Sequence, residues 1–343
     1  MRVGIVNVTG YAGVELARLL LQHPEVELTQ VTGRSAVGQR LADFFPHLGD
    51  TDLVIREAME GPVDVAFLAL PHKASAEVAP DLLAKGARVI DISADFRLKD
   101  VATYEEWYKV THPAPELLGE AVYGLPELHG SDIAKARLVA SPGCYPTGAI
   151  LGLAPAFGLI EPDVIVDSKS GVSGGGRSLT LNNHYSEVNE NVQAYGLAGH
   201  RHLPEMVQEL RLAAAAAGQV NDAERLAVTF VPHLVPMTRG ILSTCYARPR
   251  KQVPAAEVRE RYRQFYADAP FVRVVNQPPQ TKQTWGSNYC LIYPTVDART
   301  GRLVVISCID NLVKGAAGQA VQAMNLMLGY DEKLGLSSLP IFP

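Results

Sequence analysis

Hydrophobic and polar positions repeat with two different periods along the first 140 residues. Residues 2–8 are a short β-branched apolar run, and after Thr9-Gly10-Tyr11-Ala12-Gly13 the apolar positions Val14, Leu16, Ala17, Leu19 and Leu20 follow helical spacing. A second apolar run at 26–32 completes a β-α-β unit within about thirty residues. Further strands are expected at 63–70 and 88–93, with a helix over 74–85 between them. This alternation predicts a parallel sheet covered on both faces.

Around Ser141-Pro142-Gly143-Cys144-Tyr145-Pro146-Thr147 the pattern changes, and residues 148–157 are apolar at helical spacing. A domain crossover is placed here. Strands expected at 164–170, 226–231, 240–248 and 303–310, with helices at 204–217 and 254–267, make the second half α+β. The last strong helix, 316–328, carries Ala317, Ala320, Val321, Met324, Met327 and Leu328 as a stripe that must cover another element.

Composition narrows the function classes. A chain of 343 residues, 47% apolar and 20% charged, buries a sizeable core and divides most naturally into two domains. A formal net charge of -5 gives no reason to expect nucleic acid or an anionic membrane as partner, and a small molecule becomes the default ligand. The longest apolar runs, such as 65–70, fall far short of the roughly 20 residues a membrane helix needs. Cys144, Cys245, Cys290 and Cys308 lack metal-type spacing and no signal peptide precedes the first strand, so reduced thiols in a cytoplasm are expected.

Three segments carry chemistry. In the first, a glycine turn opening a helix offers backbone N–H groups and a helix dipole to a pyrophosphate, with Gly10 and Gly13 at the points of close approach. Asn7 stands where the first glycine of such a turn is usual, and asparagine is the side chain that best tolerates left-handed angles. Past the second strand the chain has Thr32-Gly33-Arg34-Ser35 where an NAD enzyme offers a carboxylate, which favours a 2′-phosphate and hence NADP.

The second segment is Cys144 itself, between Gly143 and a helix that Pro146 can start, where unpaired N–H groups and the dipole stabilise a thiolate. Cys245 and Cys308 lie inside strands and read as inert core residues. The third, Gly199-His200-Arg201-His202-Leu203-Pro204-Glu205, supplies two imidazoles for acid/base work near neutral pH, with Glu205 to orient them. A metal is not expected there, because a third ligand motif is missing. The glycine-rich loop 168–177, with Ser170, Ser173, Gly174 and Arg177, carries enough hydroxyls, N–H groups and charge to cradle a phosphate or carboxylate. Arg97 and Lys314 are further cationic candidates; either would serve equally in an ion pair.

Taken together, Thr9 to Gly13, Leu70-Pro71-His72, Ser93-Ala94-Asp95-Phe96-Arg97, Pro142 to Thr147, His200 to Glu205, Lys169 to Arg177, Pro236 to Gly240 and Asp310 to Gly315 resemble the N-acetyl-γ-glutamyl-phosphate reductase family. That family is related to aspartate-semialdehyde and glyceraldehyde-phosphate dehydrogenases. The resemblance implies a Rossmann NADP-binding domain over 1–143 and 312–343, and an α+β catalytic and dimerisation domain over 144–311. It implies Cys144 as nucleophile, His200 or His202 as acid/base, cofactor contacts from Thr9 to Gly13, Arg34, Ser35, Pro71, Ser173, Gly174 and Asn311, and substrate contacts from Arg97, Ser170, Arg177 and Lys314. The expected reaction is NADPH-dependent reduction of an acyl phosphate in arginine biosynthesis by a homodimer or homotetramer, with the last helix returning to the cofactor domain. A carrier-linked aminoadipate-phosphate reductase of lysine biosynthesis resembles the same motifs, and a non-catalytic NADP-binding sensor would share the fold alone.

Overall fold

A computed structural model describes residues 1–343. The chain divides into two compact units, Met1–Pro142 with Ala316–Ser338 and Gly143–Gly315 with Leu339–Pro343. The first begins with β1 (Arg2–Val6), α1 (Tyr11–Leu20) and β2 (Glu27–Thr32), continues through β3 (Ile55–Arg56), β4 (Val65–Leu68), α2 (Ala74–Ala84), β5 (Arg88–Asp91) and α3 (Val101–Tyr108), and closes with β6 (Val122–Tyr123), α4 (Pro126–Ile133) and β7 (Leu138–Ala140). Its sheet runs β3-β2-β1-β4-β5-β7-β6 with every pairing parallel. The order reverses beside β1, the point at which open parallel sheets bind ligands. All four residues of β4 are buried, as a strand covered on both faces requires.

The second unit opens on α5 (Cys144–Leu153) and β8 (Ile160–Ser170), then β9 (Gln193–Ala194), α6 (Leu203–Ala216), β10 (Ala227–Leu234), β11 (Ile241–Pro249), α7 (Ala255–Phe265), β12 (Val272–Val274), β13 (Cys290–Val296) and β14 (Leu303–Ile309). Its mixed sheet runs β12-β13-β14-β11-β8-β10-β9. β8 shows the buried-then-accessible alternation of a strand packed on one face, and α5, apolar all round, lies against β11 and β14 with every residue after Cys144 buried. Small groups permit the close approach. The Ser307 hydroxyl donates to the Gly148 carbonyl at 2.8 Å, and a β-carbon at Gly148 would lie 3.2 Å from that hydroxyl oxygen.

The final helix, α8 (Gly318–Leu328), groups with the first unit and packs on α1 and α4. Its apolar stripe is buried except for Leu328, which is partly accessible, and Gln319, Gln322 and Asn325 are buried with it. The last two are satisfied: Asn325 Oδ1 faces His23 Nε2 at 3.0 Å, its Nδ2 donates to the Leu334 carbonyl at 2.8 Å, and Gln322 Nε2 donates to Glu332 at 2.9 Å.

Candidate active site

In the first unit β1 leads into the glycine turn through Asn7, whose φ is +70°. Asparagine is the non-glycine side chain best suited to that region, and here it also does what glycine cannot. Its Nδ2 donates to the Ala69 carbonyl at 2.7 Å, tying the turn to the end of β4. Gly13 is required by packing, because a β-carbon there would lie 2.4 Å from the Asn7 carbonyl oxygen and 2.8 Å from Val8 Cα. Gly10 is different. A β-carbon there would meet only Asn7 Nδ2 at 3.9 Å, so its bareness keeps open the space before the first N–H groups of α1. No acidic residue stands in that first turn, formed by Tyr11, Ala12 and Gly13, and Glu15 further on is buried and paired with Arg18 at 2.6 Å. The helix end is therefore left for an exogenous anion.

A cavity of about 260 Å³ adjoins this turn, lined by Asn7, Arg34, Glu57, Pro71, Ala74 and Glu77 among others. Arg34 is exposed, and the Ser35 hydroxyl donates to Thr9 Oγ1 at 3.2 Å, linking the end of β2 to the glycine turn. Of the expected cofactor residues of the first unit, Arg34 and Pro71 line this cavity, together with two carboxylates, Glu57 and Glu77, that were not expected there. Arg97, expected at the substrate, is 6% exposed and donates from Nε to the Ser141 carbonyl and from Nη2 to the Ile92 carbonyl, both at 2.8 Å.

In the second unit Cys144 is the first residue of α5 and is partly accessible, whereas the other three cysteines are buried. Burial pushes the Cys245 and Cys308 thiols up to about 12, which keeps them protonated and unreactive. The first turn of α5 has no acidic side chain, and its N-cap is Gly143, whose N–H donates to buried Glu205 Oε1 at 2.7 Å. Glu205 thus holds the turn that carries Cys144, a role the sequence did not suggest. Gly315 was not expected at the site: a β-carbon there would lie 2.8 Å from Cys144 Cβ. The chain passes Cys144 in the π-helical turn Val313–Ala317, which only glycine can bring so close.

His200 and His202 have ring centroids 4.9 Å apart and both meet the edge of Tyr145, at 5.6 and 5.9 Å. His200 is further enclosed by Tyr195 at 5.5 Å and Phe230 at 5.3 Å. Its Nδ1 accepts the His202 backbone N–H at 3.1 Å, so the neutral ring carries its proton on Nε2. Burial, aided by the Arg201 charge, lowers the His200 pKa to about 4. The two imidazoles are therefore unequal. Tyr145 and Tyr195 share a hydroxyl contact of 2.9 Å, and burial with help from the Cys144 charge raises the Tyr195 phenol to about 12, leaving it a hydrogen-bond donor. No periodicity or motif in the sequence marks Tyr195.

The glycine-rich loop is ordered by its own unit. A β-carbon at Gly171 would fall 2.8 Å from the Met237 and Thr238 carbonyls, and Asn311 bridges Ser173 Oγ at 2.9 Å and the Gly240 N–H at 2.7 Å. Ser170 and Ser173 are buried, while Gly174 and Arg177 are exposed. Lys314, expected at the substrate, is fully buried with its ammonium 5.9 Å from the Phe271 ring centroid. No group of three or more His, Cys, Asp or Glu side chains is arranged to hold a metal ion, and no helix is long and apolar enough to cross a membrane.

Comparison with known proteins agrees across the chain. Residues 2–136 match the NAD binding domain of semialdehyde dehydrogenase and residues 144–311 match its dimerisation domain. N-acetyl-gamma-glutamyl-phosphate reductase of Dehalococcoides mccartyi is 61% identical over 100% of this chain and 99% of its own length. The enzyme of the same name from Heliobacterium modesticaldum is 51% identical over 100% of both chains. Among solved structures, aspartate semialdehyde dehydrogenase II from Vibrio cholerae superposes with a TM-score of 0.71 at 18% identity, covering 96% of this chain and 98% of that one. Aspartate semialdehyde dehydrogenase with NADP from Candida albicans gives the same TM-score at 16% identity over 95% and 98%. These two share the fold. With full-length identity above half to these relatives, the chain belongs to the N-acetyl-gamma-glutamyl-phosphate reductase family.

Proposed function

We propose that this enzyme reduces N-acetyl-γ-glutamyl phosphate to N-acetylglutamate semialdehyde with NADPH, releasing phosphate, through a thioester on Cys144. The observation that carries the reading is Cys144 at the open N-terminus of α5, with Gly315 clearing the space beside it. Residues 1–143 and 312–343 form the nucleotide-binding domain in this reading, and 144–311 the catalytic and dimerisation domain of a cytoplasmic homodimer or homotetramer in arginine biosynthesis. The residues fit the cofactor: Gly10 leaves room for a pyrophosphate at the α1 N-terminus, Arg34 offers a cation for a 2′-phosphate, and Pro71 walls the cavity. When bound, NADPH supplies the hydride that converts the thioester to the aldehyde.

The protein's own residues do the rest. The Cys144 thiolate attacks the acyl carbon, the C–O bond to phosphate breaks, and inorganic phosphate leaves with the bonding electron pair. Backbone N–H groups at the start of α5 stabilise the oxyanion that forms on the way. His202 is the acid/base: it protonates the thiolate released when the semialdehyde departs and takes that proton back for the next attack. His200 is committed as an acceptor to the His202 backbone and stays neutral above about pH 4, so it shapes the pocket and transfers no proton in the reaction. Relatives at 51% to 61% identity support the N-acetylated substrate over a carrier-linked aminoadipyl phosphate.

The test compares turnover of N-acetyl-γ-glutamyl phosphate with that of N-acetyl-α-aminoadipyl phosphate and its carrier-protein conjugate. The longer chain adds one methylene, and a preference of about 10- to 200-fold for the glutamyl substrate is expected. Equal or better turnover of the carrier conjugate would reject the assignment.

A further inference from the structure

We propose that Asp95 is a positioning residue for the cofactor wall: its buried carboxylate holds residues 70–76 in the turn that presents Pro71 and Ala74 to the nucleotide cavity. The inference rests on the reading of that cavity as the NADP(H) site. It concerns a residue that carries no role in the chemistry above.

The helix α2 starts without a cap of its own. Its N-cap position is Lys73, which makes no side-chain cap and sits at φ +74°, ψ −43°, a region disfavoured for any residue with a β-carbon. The first N–H groups of a helix need acceptors. Asp95 supplies them from a different segment: Oδ1 accepts the Lys73 N–H at 2.6 Å and Oδ2 accepts the Ala76 N–H at 2.9 Å. The Tyr104 hydroxyl donates to Oδ1 at 2.7 Å, and the carboxylate is completely buried, so no water replaces it. An ionised acceptor facing a helix N-terminus is the strong form of this contact.

The surroundings lock the same arrangement. Tyr104 stacks on Tyr108 with centroids 4.8 Å apart and planes within 15°, and the His72 ring lies 5.6 Å from that of Tyr108. His112 Nε2 reaches the Asp95 carbonyl at 2.7 Å. Turn, carboxyl group and aromatic rings are therefore one packed block, and the strained backbone at Lys73 persists because its N–H is held by a fixed acceptor. Pro71 and Ala74 stand on either side of the strained Lys73 and both line the cavity.

The decisive measurement pairs amide hydrogen exchange over residues 70–77 with NADPH affinity by fluorescence titration on the full-length protein. Asp95→Asn trades an acceptor oxygen for a donor facing an N–H. It should speed exchange in this segment and weaken NADPH binding, each by about tenfold or more, while alkylation of Cys144 by iodoacetamide without cofactor stays within about twofold. Lys73→Gly, which adopts φ +74° without steric cost, should leave the wild-type affinity within about twofold and restore most of the affinity lost in Asp95→Asn. If Asp95→Asn does not fold, Tyr104→Phe keeps both N–H contacts and should show the same two effects at about threefold. Unchanged exchange overturns the clamp itself. Faster exchange with unchanged NADPH affinity overturns the assignment of the cavity to the cofactor, and absence of rescue by Lys73→Gly overturns the role of backbone strain.

Discussion

Cys144→Ser is expected to lower kcat by roughly four orders of magnitude while leaving the melting temperature within a few degrees. The two side chains differ by one atom, and the position is partly accessible at the head of an otherwise buried helix, so the α5 packing is retained. The chemistry is not. A thiol gives up its proton near neutral pH when the N-terminus of a helix faces it, whereas a serine hydroxyl in the same place is a far weaker acid and stays protonated even beside an imidazole base. The oxygen ester that serine would form also resists hydride better than a thioester does. Steady-state kinetics with purified variant, paired with a thermal melt, checks both halves of the expectation.

The histidines give the second large effect. His202→Asn is expected to reduce kcat by about 10² to 10⁴, the range for losing a general acid/base, while His200→Asn stays within about tenfold because asparagine Oδ1 can replace Nδ1 as acceptor for the His202 N–H. The same pair separates in stability. The folded pKa of His200, lowered to about 4, lies below the ordinary histidine value of 6.5, so as pH falls the unfolded chain takes the proton first. The stability tied to the neutral ring is complete above about pH 6.5 and is lost progressively toward pH 4, a loss on the order of 3 kcal/mol. His200→Asn removes that loss and flattens the melting temperature across this window. Equal kinetic losses in the two variants would reject the division of roles.

Much of this was legible in the residues because it depends on local rules. The alternation of apolar runs with helical stripes gave the parallel sheet, and Asn7 was readable as a left-handed turn residue from its chemistry alone; its φ of +70° follows. The placement of Cys144 at a helix start was likewise written in Gly143 and Pro146. Strand β13 was missed because Pro294 interrupts its pattern, and β7 because three residues are too few to show a period. Long-range contacts left no local trace. Glu205 reaching Gly143, Gly315 passing Cys144, and Tyr195 joining Tyr145 each connect residues at least 50 positions apart, and no spacing rule links them. Lys314 was readable as a cation, but its complete burial was not, because it follows from the packing of distant segments.

The central claim is the covalent intermediate on Cys144, and the reverse reaction isolates it. Enzyme mixed with N-acetylglutamate semialdehyde and NADP⁺ in the absence of phosphate should release NADPH in one rapid burst equal to the enzyme present and then stop, with intact mass spectrometry showing one N-acetylglutamyl group on the peptide that contains Cys144. Adding phosphate should then restart turnover. Steady NADPH production without phosphate, or a burst with no mass gain on Cys144, would contradict the account.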